Sequence, residues 1–134
     1  MLLVYPVLAC ILWIFVVMLA TARVRWQTAG RGEVSVRKIA LSAEGWPERA
    51  QKWGNNLNNQ FQTPAIFFAL CGLAIYVGAD GLPAAIAAWF YVAARLVHTF
   101  IHTGTNYIPH RFAAFVAGVA ALVVLWAIIV LHII

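Results

Sequence analysis

Leu2 to Ala22 runs without one charged side chain, and nothing charged follows Arg111 to the end at Ile134. As helices rising 1.5 Å per residue, both runs can cross a hydrocarbon core about 30 Å thick. Only 10% of the 134 residues are charged, while 64% are hydrophobic and mean hydropathy is +0.87. A water-facing surface cannot be assembled from so few charges, so the bilayer must be the solvent. The expectation is an all-α membrane protein, a four-transmembrane-helix bundle in one domain over residues 1–134. Its spans fall at about 2–22, 47–77, 82–103 and 111–134.

Charge placement orients these spans. Residues 23–52 read as a polar loop that holds seven of the nine Lys and Arg residues. The turn Gly78-Ala79-Asp80-Gly81 holds none. The positive-inside rule therefore puts the 23–52 loop and the connector from Gly104 to His110 in the cytoplasm, with Trp26 and Trp53 as interfacial aromatics. Ala20-Thr21-Ala22 looks like a signal-peptidase site, but no basic segment precedes the long apolar run, so an uncleaved multi-pass protein is expected. Its compactness suits a bacterial inner membrane. The net charge of +5 lies beside the spans, which points to anionic lipid headgroups rather than nucleic acid.

Two polar stripes interrupt the apolar spans. Asn55, Asn59 and Gln62 fall at i, i+4 and i+7 of the second span, so one continuous helix would stack them on one face. Arg95, His98 and His102 make a matching stripe on the third, and an arginine that deep usually faces a bundle interior with a partner. Asn59 and His98 each lie about 9 Å inside the boundary, and Gln62 and Arg95 about 13 Å. The stripes thus share one level, with Arg111 at the rim. Packing contacts between helices explain a few amides, but they explain a charged arginine with two histidines less well.

A metal is the other sharp reading. His98 and His102 have the i, i+4 spacing that suits zinc, with His110 as a third candidate ligand. No acidic or thiol ligand accompanies them in the spans, and Arg95 would repel a dication, so no metal is expected. Cys10 and Cys71 sit in apolar stretches and read as packing residues. His132 reads as interfacial. The small residues Ala114, Ala117, Gly118 and Ala121 allow close helix packing. Four short spans enclose little volume, so a symmetric oligomer would help close a site.

With these features in hand, the chain resembles the MAPEG family, membrane-associated proteins of eicosanoid and glutathione metabolism. Arg95-Leu96-Val97-His98-Thr99-Phe100-Ile101-His102 is similar to the family's Arg-x-x-His/Tyr-x-x-x-Tyr segment. Asn59-Gln60-Phe61-Gln62 resembles its Asn-x-x-Glu, and Arg111 stands where the family carries an arginine opening the last span. Three positions depart from that pattern. Asn55 replaces an arginine four residues before the conserved-pattern asparagine, Gln62 replaces the glutamate, and His102 replaces a tyrosine.

The resemblance implies a homotrimer that binds glutathione between subunits near the cytosolic face, with a lipophilic second substrate. It implies a glutathione-dependent transferase or peroxidase in which glutathione is a cosubstrate. Arg111 would stabilise the thiolate, and His98 and His102 would orient the ligand or move a proton. Asn55, Asn59, Gln62, Arg95 and His98 would bind the ligand, with Arg95 anchoring a carboxylate or holding the amides of the second span in place. The alternative is a non-catalytic lipid-binding or structural membrane protein of the same fold.

Overall fold

The computed structural model describes residues 1–40 and 42–134, and among these every regular element is helical. The long helices are α1 (Val4–Gly30), α3 (Glu48–Asn59), α4 (Thr63–Val77), α5 (Leu82–Thr103) and α6 (Ile108–Ile133), with α2 (Val36–Ile39) in the first loop. A short 3-10 turn at Ala43–Gly45 follows α2. With α3 and α4 taken together, four helical segments are long and apolar enough to cross a membrane.

Three boundaries differ from the sequence expectation. The first span continues eight residues beyond Ala22, so Arg23 and Arg25 are helical rather than in a loop. Nothing breaks the helix before Gly30, and Thr21 and Thr28 return their hydroxyls to the carbonyls of Val17 and Val24. The helix stops where Gly32 adopts φ +70°, its N–H bonding Ala29 and that of Glu33 bonding Thr28. That six-to-one closure is a Schellman motif, which favours glycine at the left-handed position. Gly78 ends α4 in the same way, with φ +79° and Ala79 N–H on the Ala74 carbonyl.

The second span is not the continuous helix expected over 47–77. α3 ends at Asn59 and α4 begins at Thr63, with Gln62 non-helical at φ −93° and ψ −88°. Pro64 has no N–H for the carbonyl of Gln60 and disfavours α geometry at Thr63, so the ladder breaks on its N-terminal side. The last span opens at Ile108, three residues earlier than expected, because Pro109 is tolerated in a first turn.

α5 is the central helix. Its alanines Ala84, Ala87 and Ala88 are buried, and α6 packs along it over a broad contact. Gly118 lets the two backbones approach: a Cβ there would sit 3.7 Å from Ala94 and Tyr91. Gly118 and Ala121 are buried while Ala114 and Ala117 are half-covered, so the small residues of the last span serve contacts inside the bundle. Tyr91 stacks on Phe67 at 4.6 Å and donates to Thr63 Oγ1 at 3.0 Å. Cys10 and Cys71 are buried free thiols in the same core, as their apolar surroundings predict. Leu8, Leu12, Phe15 and Leu19 of α1 and Trp126 and Leu131 of α6 point outward, which suits a lipid solvent.

Each end of the bundle is tied across. At one face, Lys52 Nζ donates to the Gly104 carbonyl at 3.4 Å, bringing the first loop to the α5–α6 connector. At the other, the Met1 ammonium lies 2.9 Å from Asp80 and holds that carboxyl below its usual value. The end at Lys52 and Gly104 is the loop face.

Candidate functional site

Near the loop face a recess of about 370 Å³ opens between α3, α5 and α6. Its polar lining is Asn55, Asn59, His98, His102 and Arg111, and its apolar wall is Ile108, Phe112 and Phe115. Helix periodicity explains the grouping. Asn55 and Asn59 are one turn apart on α3, His98 and His102 one turn apart on α5, and Ile108, Phe112 and Phe115 follow one face of α6.

The imidazoles are fixed from several sides. His98 is 4% exposed, meets His102 edge-on at 5.4 Å and lies 6.5 Å from the Phe115 ring. The Asn59 amide stands 3.5 Å from His102 Nδ1. Donation to that nitrogen leaves Nε2 as the N–H of the ring. His98 Nδ1 is buried without a partner among the described residues. Arg111 is held from the connector, where Nη1 donates to Asn106 Oδ1 at 2.6 Å. Asn106 is the one described non-glycine residue with positive φ, at 53°, a conformation asparagine tolerates better than most side chains.

Five of the seven side chains singled out from the sequence therefore come together: Asn55, Asn59, His98, His102 and Arg111. Two do not line the recess. Gln62 is exposed on the broken segment, because the loss of helical register at Gln60–Gln62 carries it off the Asn55–Asn59 face. Arg95 turns inward, 3% exposed, and its Nη2 donates at 2.9 Å to the Asn59 backbone carbonyl. That carbonyl lies in the last turn of α3, where the break leaves it without its i+4 partner. Arg95 caps a helix end here.

A second polar cluster lies behind the recess. Thr99 Oγ1 donates to Asn56 Oδ1 at 3.3 Å and accepts from Gln60 Nε2 at 3.1 Å and Trp13 Nε1 at 3.4 Å. Asn56 and Gln60 are fully covered. They too are one turn apart, so the amide run carries two faces of like spacing. Sequence reasoning passes over this cluster and over Asn106, Phe112 and Phe115. The i, i+4 repeat of Asn56 and Gln60 is the signal that could have found the cluster.

Among the described residues no three His, Cys, Asp or Glu side chains group as metal ligands. His110 is exposed and stacks edge-on with Tyr107 at 4.8 Å.

With this geometry in place, comparison with known proteins is decisive at the family level. The MAPEG family model matches residues 3–131. The chain belongs to the MAPEG family. No curated protein and no solved structure matches it. The family includes glutathione transferases and related proteins, and in this MAPEG member the matched region contains every residue of the recess.

Proposed function

We propose that the chain is a thiol-dependent transferase or peroxidase of the glutathione type. It acts on lipophilic electrophiles at the cytoplasmic leaflet of a bacterial inner membrane, as a homotrimer whose neighbouring subunits close the recess. The observation that carries this reading is the recess itself. One fixed guanidinium and two imidazoles face an apolar wall near the loop face of the bundle.

The chemistry follows from those groups. A thiol enters with its sulfur near Arg111, whose charge favours the thiolate over the thiol. The S–H proton passes to the imidazole of His98, which lines the recess. The sulfur lone pair then forms a C–S bond to the electrophilic carbon, and the leaving group departs with its bonding pair. Where that group is an epoxide oxygen, it takes the proton back from His98. With a hydroperoxide instead, two thiols become a disulfide and the peroxide becomes an alcohol and water. His102 Nε2–H and the amides of Asn55 and Asn59 hold the thiol's peptide groups. Ile108, Phe112 and Phe115 receive the lipophilic substrate.

The test is conjugation of glutathione to an aryl halide by the purified protein in detergent. Arg111→Ala should lower kcat/KM by about a hundredfold, the scale of removing one preorganised charge stabiliser, with the unfolding midpoint unchanged. A protein that binds no thiol at millimolar concentration overturns the reading. Binding of an anionic amphiphile without turnover would support the second reading, a non-catalytic lipid-binding protein, which the existing engagement of Arg111 by Asn106 favours.

A further inference from the structure

The chain has four acidic residues, Glu33, Glu44, Glu48 and Asp80, and none lines the recess. Asp80 is at the opposite end of the bundle, beside the Met1 ammonium. Glu48 is paired with Lys52 at 2.8 Å and stands seven residues before Asn55, about 10 Å along α3. Glu33 lies 3.8 Å from Arg31, and Glu44 is exposed in the loop. Copies of the chain brought alongside add only the same four carboxylates. Within the chain, none of the four carboxylates lines the recess beside Asn59 and His98.

The charged side chain in the lining is Arg111, and it is positive. A ligand carboxylate or thiolate is favoured there. A ligand ammonium meets only neutral amide oxygens of Asn55 and Asn59, with a guanidinium close by. Hydrogen bonds between a charged group and a neutral one are weaker than those between opposite charges, and like charges repel. Glutathione carries two carboxylates and one ammonium, so the recess matches part of it and opposes the rest.

From this we infer that the recess selects a low-molecular-weight anionic thiol that carries no ammonium group, in preference to glutathione itself. The inference rests on the thiol reading above and names the class of cosubstrate. The experiment compares glutathione with glutaryl-cysteinylglycine, which keeps the thiol and both carboxylates and has hydrogen in place of the ammonium. Calorimetric titration of the purified protein in detergent at physiological ionic strength should show the deaminated thiol binding at least about tenfold more tightly. Asn55→Asp, at an exposed position on the rim, should bring that ratio to near one by supplying the missing carboxylate. Equal or tighter binding of glutathione by the unaltered protein, or a ratio unmoved by Asn55→Asp, overturns the inference and leaves the thiol reading standing. Failure of both thiols to bind overturns the two together.

Discussion

Asn55 and Asn56 are neighbours on α3, yet one lines the open recess and the other is sealed against Thr99. The same division splits α5, where His98 and His102 face the recess while Arg95 and Thr99 face the helix ends and amides behind it. The two clusters share helices and depth, but only one adjoins open volume. In the sealed cluster the Thr99 hydroxyl is saturated, with one donation and two acceptances, the full capacity of the group. In the recess, His98 Nδ1 has no partner and the Asn59–His102 contact is long at 3.5 Å. Unpartnered polar atoms occur on both sides, Asn56 Nδ2 and Gln60 Oε1 in the sealed cluster and His98 Nδ1 beside the recess, so what separates the two is the open volume that only the recess adjoins.

Arg95 gives that contrast its hardest test, because from its sequence pattern it belongs to the recess and in the fold it belongs to the sealed side. An inserted but unassembled α5 would turn Arg95 toward lipid, a cost of about 2.5–3.5 kcal/mol near a helix centre. Docking on the Asn59 carbonyl relieves that cost and satisfies an open helix end. Arg95→Ala should therefore destabilise the assembled bundle by about 2–3 kcal/mol, read as an earlier transition in a denaturing-detergent titration. Thiol affinity per folded molecule should change little. A variant of native stability that has lost thiol binding would move Arg95 into the recess.

Thr99→Val probes the sealed cluster without altering shape. It leaves the Gln60 amide donor and the Asn56 carbonyl unpaired in a covered site, and Trp13 loses its acceptor. The loss should be about 1–2 kcal/mol in the same titration, at the upper end for interhelical hydrogen bonds in membranes. Conjugation kinetics should be unchanged in the folded fraction. If turnover fell and stability held, the two clusters would be one functional unit and the division drawn between them would fail.

How much of this was legible from the sequence differs by feature. The number and approximate limits of the spans were, because uncharged runs of this length have one economical solution in a bilayer. Five recess residues were, because helical spacing and matching depth place them together. So was an inward-facing Arg95, but not that its partner would be the Asn59 backbone carbonyl. Asn55 with Asn59 and Asn56 with Gln60 are both amide pairs one turn apart, so periodicity could not say which pair faces in. Pro64 is visible in the sequence, but a proline in a membrane helix is compatible with a kink as well as a break. The open helix end that the break leaves is capped by Arg95, a contact 36 residues distant in the chain.

Gln62 carries the smallest expected effect and separates the family pattern from this fold most cleanly. It stands where the family carries a glutamate, and a continuous helix would have set it seven residues after Asn55 on the recess face. Instead it is exposed beyond the break, and among the described residues its side chain makes no hydrogen bond. Gln62→Ala should alter stability by less than about 0.5 kcal/mol, as at other exposed positions, and thiol affinity by less than about twofold. A tenfold loss of affinity with the bundle intact would show that Gln62 reaches a ligand held by a neighbouring copy. In that case the break at Gln60–Gln62 would be a means of presenting Gln62 across a subunit boundary, and the open side of the site would extend beyond the recess of one chain.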